Sequence, residues 1–184
     1  MTWSHFNEDI FWEYCRSLAD SIPEWSYEAA IYIFIIGAII MWAFKGLPKA
    51  IAPTAKLFLF NYTGLLLSST VFFRETKKDV LYQYRPFWSY EAISKGVDSL
   101  VPENIMNLAI FIPIGIATGL AFKSVRCWQA LLTGLSISVL IEALQLTFKK
   151  GCSETDDVIH NTLGCLLGYL SYISVKSTCR VILR

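Results

Sequence analysis

Apolar residues gather into five stretches, residues 27–44, 57–73, 105–122, 128–148 and 158–175, with most of the charge in the connections between them. Each stretch has or approaches the roughly 20 helical residues that cross the hydrocarbon core of a bilayer. Aromatic residues stand near many of their ends (Trp25, Trp42, Phe44, Phe73, Trp128, Phe148), where an interfacial belt places them. The pattern predicts an all-α fold, a polytopic membrane helix bundle with about five transmembrane helices. Residues 1–26 read as an extracytoplasmic segment and residues 27–184 as the transmembrane domain. Trp3, Phe6, Ile10, Phe11 and Trp12, set among acids, suit either an amphipathic helix on the membrane surface or a flexible tail.

The distribution of basic residues orients the bundle, because cytoplasmic connections are enriched in Lys and Arg. Lys45, Lys49 and Lys56 lie between the first two stretches, Lys123 and Arg126 between the third and fourth, and Lys176, Arg180 and Arg184 in the tail, all without an intervening acid. The amino-terminal segment sets Arg16 against Glu8, Asp9, Glu13, Asp20 and Glu24, and the second and fourth connections mix signs. The expectation is an amino terminus outside and a carboxy terminus in the cytoplasm, on opposite sides as an odd number of spans independently requires.

Composition adds exclusions. The chain has 184 residues, 54% hydrophobic, with a net charge of +1, so it lacks the basic surplus of a nucleic-acid binder. Its cysteines, Cys15, Cys127, Cys152, Cys165 and Cys179, form no CxxC pair and no ligand spacing with His5 or His160, which argues against a metal site. Cys15 and Cys152 fall on the same expected side, where a disulfide is permitted; the irregular spacing otherwise reads as five unpaired thiols. The first 26 residues are acidic and aromatic rather than a basic run leading into an apolar core, so insertion is expected to rely on internal helices. No cofactor motif is present, and membrane lipid is the one partner that the hydropathy demands.

The candidate chemistry lies where polar groups enter or border the apolar stretches. An ionisable side chain at the centre of a membrane helix costs about 2.5–3.5 kcal/mol on insertion scales, so it faces a partner or a wet cavity. Glu142 with Gln145, Asn104 with Asn107, and Asp157 with Asn161 are pairs three or four apart on a helix face, and all fall in the expected outer leaflet, close to Glu154, Asp156 and His160. Three helix faces can therefore converge on one outward pocket, with Arg74, Arg85, Lys149 and Lys150 as candidate counter-charges. Two structural readings stand beside this one. Amides and acids serve as interhelical glue in lipid, and Glu154 to Asp157 precede a helix whose dipole favours negative charge. The chain shows no nucleophile elbow, P-loop or metal-binding His pair, and Ser153, Asp157 and His160, drawn from one short segment, do not suggest a triad. Arg85, Pro86, Phe87 and Trp88 suit either packing on the membrane face or an exposed loop.

Other positions read as architectural. Pro113 removes a backbone bond and bends its helix. Gly115 with Gly119 and Gly164 with Gly168 permit close helix approach.

The stretch from Asn107 to Gly168 resembles the VanZ-like family. The resemblance rests on Asn107, Phe111, Pro113 and Gly115 within NLAIFIPIG, on Glu142 and Gln145 within IEALQ, and on Glu154, Asp157, Asn161, Gly164 and Gly168 within SETDDVIHNTLGCLLG. Where the family commonly has Arg followed by Gly before the acidic run, this chain has Lys150 and Gly151, which replaces a planar bidentate donor with a point charge. The resemblance implies a multi-span protein of the bacterial cell membrane, associated in the family's named member with low-level resistance to the lipoglycopeptide teicoplanin. The preferred expectation is a non-enzymatic protein whose outward pocket engages a lipoglycopeptide or a lipid-linked envelope component. The alternatives are an intramembrane enzyme using Glu142 and Asp157 as base and acid, or a structural subunit with a protein partner that the sequence does not specify.

Overall fold

The computed structural model describes residues 8–20 and 22–182. Trp3, Phe6 and His5 of the amino-terminal segment and Arg184 of the basic tail lie outside the described residues. Helix α1 (Glu8–Asp20) precedes α2 (Glu24–Lys45) and α3 (Leu47–Leu67), which a π-helical turn (Ser68–Phe72) continues; α4 (Trp88–Ser94), α5 (Leu100–Ala121), α6 (Cys127–Phe148) and α7 (Thr155–Ile182) follow. Five of these helices are long and apolar enough to cross a membrane: Glu24–Lys45, Leu47–Phe72, Leu100–Ala121, Cys127–Phe148 and Thr155–Cys179. The fold is an all-α, multi-pass helix bundle. Among the described residues the strands are β1 (Leu81–Gln83) and β2 (Cys152–Glu154), paired in parallel.

The helices run past the apolar stretches at several ends, and each extension has a local cause. Between α2 and α3 there is only Gly46, whose φ of 71° is open to glycine and costly to most residues, so the chain reverses without a loop. Pro48 is tolerated in the first turn of α3, where its missing N–H has no helical partner to lose. Lys49 and Lys56 therefore ride on a helix rather than in a connection. Pro102 stands in the first turn of α5 in the same way. At the start of α7, Asp156 and Asp157 occupy the turn where the helix dipole favours acids.

α5 and α7 form the most extensive helix pair and run parallel. Three glycines make this possible, since a Cβ at Gly115 would collide with the carbonyl of Cys165, one at Gly164 with that of Leu108, and one at Gly168 with that of Ile112. Gly119 is crossed by the ring of Tyr172. In lipid the helices gain little from apolar burial itself, so dispersion contacts at such close approach supply much of their adhesion. α6 packs antiparallel on α7, and α3 closes on α5 through a core of Leu66, Phe111, Ile114, Ile141 and Cys165. α5 continues as one helix through Pro113, and the hydroxyl of Tyr62 donates to the carbonyl of Ile110 at 2.9 Å, within the turn that the proline disturbs. α2 is the most peripheral span, with none of its apolar window buried; Asn61 of α3 holds it by donating to the carbonyl of Ala30 at 2.6 Å.

The bundle has two unlike ends. One carries Gly46, the turn between α5 and α6 and the end of α7. The other gathers α1, the segment from Arg74 to Ser99, and the connection from α6 to α7.

Candidate functional site

All the polar side chains singled out above lie toward the α1 end, but they divide into two groups. The first is spent on holding the fold. Gln145 donates to the carbonyl of Thr70 in the π turn at 3.2 Å, tying α6 to α3, and Asn161 donates to Ser138 at 2.8 Å, tying α7 to α6. Glu142 accepts the backbone N–H of Glu154 at 2.8 Å, which anchors β2 over the end of α6.

The acids before α7 do more than serve its dipole. Asp156, 1% exposed, accepts from the N–H groups of Phe87 and Ser89 and from the Ser89 hydroxyl, at 2.5, 2.9 and 2.6 Å. Asn104 donates to that hydroxyl at 3.1 Å, Trp88 donates its indole N–H to Glu154 at 2.9 Å, and Tyr90 shares a 2.8 Å hydrogen bond with Nε2 of His160. The segment that carries Phe87 and Trp88 is thus bolted onto the start of α7 and is not a free loop. His160 faces Tyr90 and Ser153 belongs to β2, so Ser153, Asp157 and His160 form no relay. All five cysteines are free, including Cys15 and Cys152.

The second group faces open space. A cavity of about 460 Å³ lies between α1, α3 with its π turn, α5 and the start of α7. Its polar wall includes Tyr14, Arg74, Glu103, Asn107 and Asp157, with the hydroxyls of Ser17, Ser69 and Thr70; its apolar wall includes Tyr62, Leu65, Leu66, Met106 and Ile110. Asn107 donates to Oδ1 of Asp157 at 2.7 Å and so orients that carboxylate. Of the six polar residues proposed from the sequence, Asn107 and Asp157 line this cavity. Glu142 and Glu154 stand behind it, within electrostatic reach of Asp157, and Gln145 and Asn161 are committed to helix packing.

Lys150 does not meet a carboxylate. Its ammonium donates to the carbonyl of Arg74 at 2.7 Å, and Arg74 is the cation whose field reaches Glu103, Glu142 and Asp157. Gly151, at φ 121°, lies beneath the Arg74 guanidinium, where a Cβ would stand 2.8 Å from Nη1. A guanidinium therefore does stand beside the Lys-Gly pair, supplied by the far end of the α3 span. Burial dominates the electrostatics around the site. It raises the Glu154 carboxyl above the ordinary range, with the charge of Glu103 adding to the effect, and it raises the Tyr14 hydroxyl. Burial, followed by the charge of Glu154, pushes the Cys152 thiol up to about 12, so it is a poor nucleophile.

Glu103 and Tyr14 were not singled out from the sequence. Glu103 stands four residues before Asn107 and so shares its helix face, a pairing as readable as that of Asn104 with Asn107; Asn104 instead turns to Ser89. Tyr14 carries no such signal, because its place depends on how α1 folds back. Among the described residues no cluster of three or more His, Cys, Asp or Glu side chains could hold a metal ion.

Residues 29–177 match the model of a family described as VanZ/LLP1. The chain is 36% identical over 70 residues to Protein VanZ of Enterococcus faecium, a stretch covering 38% of this chain and 44% of that relative. The chain thus spans less than half the length of the curated relative it matches. No solved structure matches the chain significantly.

Proposed function

The chain belongs to the VanZ/LLP1 family, and on that premise we propose that it acts at the bacterial cell envelope by engaging an amphiphile in the cavity beneath α1, on the outer face of the membrane. The observation that carries this reading is the two-sided lining. Arg74, Glu103, Asn107 and Asp157 stand on one wall and Leu65, Leu66, Met106 and Ile110 on the other, a combination suited to a molecule with a polar head and an apolar tail. The outward orientation is supported by charge. Lys45, Lys123, Arg126 and Lys176 belong to the end opposite the cavity, as cytoplasmic connections require. Single-cysteine variants test it. In intact cells a membrane-impermeant thiol reagent should spare Cys127 and Cys179, both exposed, and label them after permeabilisation; labelling in intact cells would invert the assignment.

Within this reading the amphiphile is a lipoglycopeptide or a lipid-linked envelope component, and the cellular consequence is lowered susceptibility to teicoplanin. Wild type, Asp157→Asn and Arg74→Gln, expressed to equal membrane levels in a susceptible Gram-positive host, should differ: wild type protects against teicoplanin more than against vancomycin, and both variants lose the protection. Protection kept by both variants would exclude the cavity. No protection by well-inserted wild type would exclude the resistance role in that host.

A further inference from the structure

The polar wall of the cavity holds charges of both signs that feel one another's field but form no ion pair among the described residues. Among the described residues Glu91 forms ion pairs with Arg85 and Lys95; Arg74 takes part in none, and no hydrogen bond occupies its guanidinium. The Glu103 carboxylate likewise has no hydrogen-bond donor among the described residues, and Asp157 receives Asn107 on Oδ1 alone. These groups share one cavity, and Arg74 makes no ion pair or hydrogen bond with either carboxylate. Arg74 is also held in place, with Lys150 on its carbonyl and Gly151 beneath its guanidinium.

That arrangement constrains what can bind. A lone oxyanion would satisfy Arg74 but face Glu103 and Asp157, and like charges brought together in an interface repel. A lone ammonium would satisfy the carboxylates and leave a guanidinium, with up to five donors, unmatched. A headgroup with both signs meets both demands. The positive group must also carry N–H donors, because a carboxylate oxygen such as Oδ2 of Asp157 accepts hydrogen bonds; a primary ammonium offers three, whereas a quaternary choline offers none. The apolar wall formed by Leu65, Leu66, Met106 and Ile110 continues from the polar one and suits an acyl chain.

We propose that the cavity takes a zwitterionic amphiphile whose headgroup joins a primary ammonium to an oxyanion, the chemistry of phosphoethanolamine, with the oxyanion on Arg74 and the ammonium between Glu103 and Asp157. The proposal rests on the reading of the cavity as an amphiphile site and specifies the headgroup it selects.

The test is lipid retention. Purified full-length protein is equilibrated in bicelles containing equal amounts of phosphatidylcholine, phosphatidylethanolamine and phosphatidylglycerol, repurified, and its retained lipid identified by mass spectrometry. Phosphatidylethanolamine should be enriched roughly tenfold over both other lipids, the scale of one charge-assisted contact. Arg74→Gln and the double variant Glu103→Gln with Asp157→Asn should each abolish the enrichment, while Arg74→Lys, which keeps the charge, should retain part of it; thermal unfolding identifies any variant that fails to fold. Enrichment of phosphatidylglycerol, or of phosphatidylethanolamine and phosphatidylcholine equally, would overturn the headgroup assignment, as would enrichment that survives both sets of substitutions. Free phosphoethanolamine bound as tightly as the lipid would overturn the role of the apolar wall. If no lipid is enriched while Asp157→Asn still abolishes teicoplanin protection, the headgroup class fails and the amphiphile cavity stands; loss of both results removes both readings.

Discussion

Asp156→Ala should release the segment around α4 from the start of α7 while leaving the spans inserted. Asp156 is 1% exposed, as is Ser89, so water does not readily replace the carboxylate. The substitution orphans the N–H groups of Phe87 and Ser89; the Ser89 hydroxyl, also freed, can rotate to another acceptor. Each buried donor left without an acceptor costs about 1–3 kcal/mol. The left-handed backbone of Phe87, φ 62° and ψ 20°, costs about 1–3 kcal/mol for a non-glycine residue in wild type and variant alike, so it leaves the segment easier to open without adding to the difference between them. The hydrogen bonds from Trp88 to Glu154 and between Tyr90 and His160 remain, so the segment should loosen by about 3–5 kcal/mol rather than detach completely. Local opening of that size raises amide exchange roughly a hundredfold to a thousandfold or more. Hydrogen exchange read by mass spectrometry should show this increase in peptides covering residues 81–94, with peptides from the middle of α6 unchanged. Wild-type exchange over 81–94 in a well-inserted Asp156→Ala protein would refute the reasoning, because the carboxylate would then not be what holds the segment.

Three further outcomes follow from particular contacts. Gly164→Ala should lower the unfolding midpoint in detergent by the equivalent of about 1–3 kcal/mol or more, because its methyl meets the Leu108 carbonyl. Gly64→Ala, which meets nothing within 4 Å, is the matched control and should be neutral or slightly stabilising; equal effects would contradict the close approach of α5 and α7. Met106→Cys should be joined to Cys15 by a short bifunctional thiol reagent, since the Cys15 thiol rests 3.8 Å from the Met106 sulfur, and peptide mapping without that crosslink, when both thiols are shown to react singly, would count against α1 resting on α5. Glu154→Gln should flatten part of the stability profile against pH. The folded-state pKa of Glu154 is raised above 4.5, so the native state binds the proton more tightly than the unfolded chain, and the associated stability is present below pH 4.5 and lost as pH rises through the folded value. Thermal melts should therefore show wild type losing stability relative to the variant over that window, and parallel profiles would count against the burial of this carboxyl.

The helices were legible in the sequence because the bilayer imposes a length and a composition on anything that crosses it. What hydropathy obscured was where a helix ends when its last turns lie outside the apolar zone. Lys49 and Lys56 look like connection residues by charge, yet Gly46 alone makes the reversal and the backbone hydrogen bonds of α3 continue beneath both lysines. Likewise Arg74 to Ser99 reads as a long connection, and only the pairing of β1 with β2 and the contacts of Asp156 reveal that it folds back onto α7. Those partners are 67 to 69 residues apart in the chain, beyond any local pattern.

Polarity within an apolar stretch marks a side chain that needs a partner, but it does not say whether the partner is protein or ligand. The amide nitrogens of Gln145 and Asn161 and the carboxylate of Glu142 find theirs inside the fold, on Thr70, Ser138 and the N–H of Glu154, while the two amide oxygens are buried without a partner among the described residues. Among the described residues Arg74 and Glu103 make no ion pair or hydrogen bond through their charged groups, and both stand at span ends where charge is cheap. The two facts are connected. A charge near the membrane boundary can stay hydrated when the cavity is empty and can be offered to a ligand, whereas one deep in the bilayer must be neutralised permanently by its own protein. On the proposed reading the functional constellation therefore belongs at the mouth, where Arg74 and Glu103 join Asn107 and Asp157, and polar residues spent on helix contacts, such as Gln145 and Asn161, hold that mouth in shape.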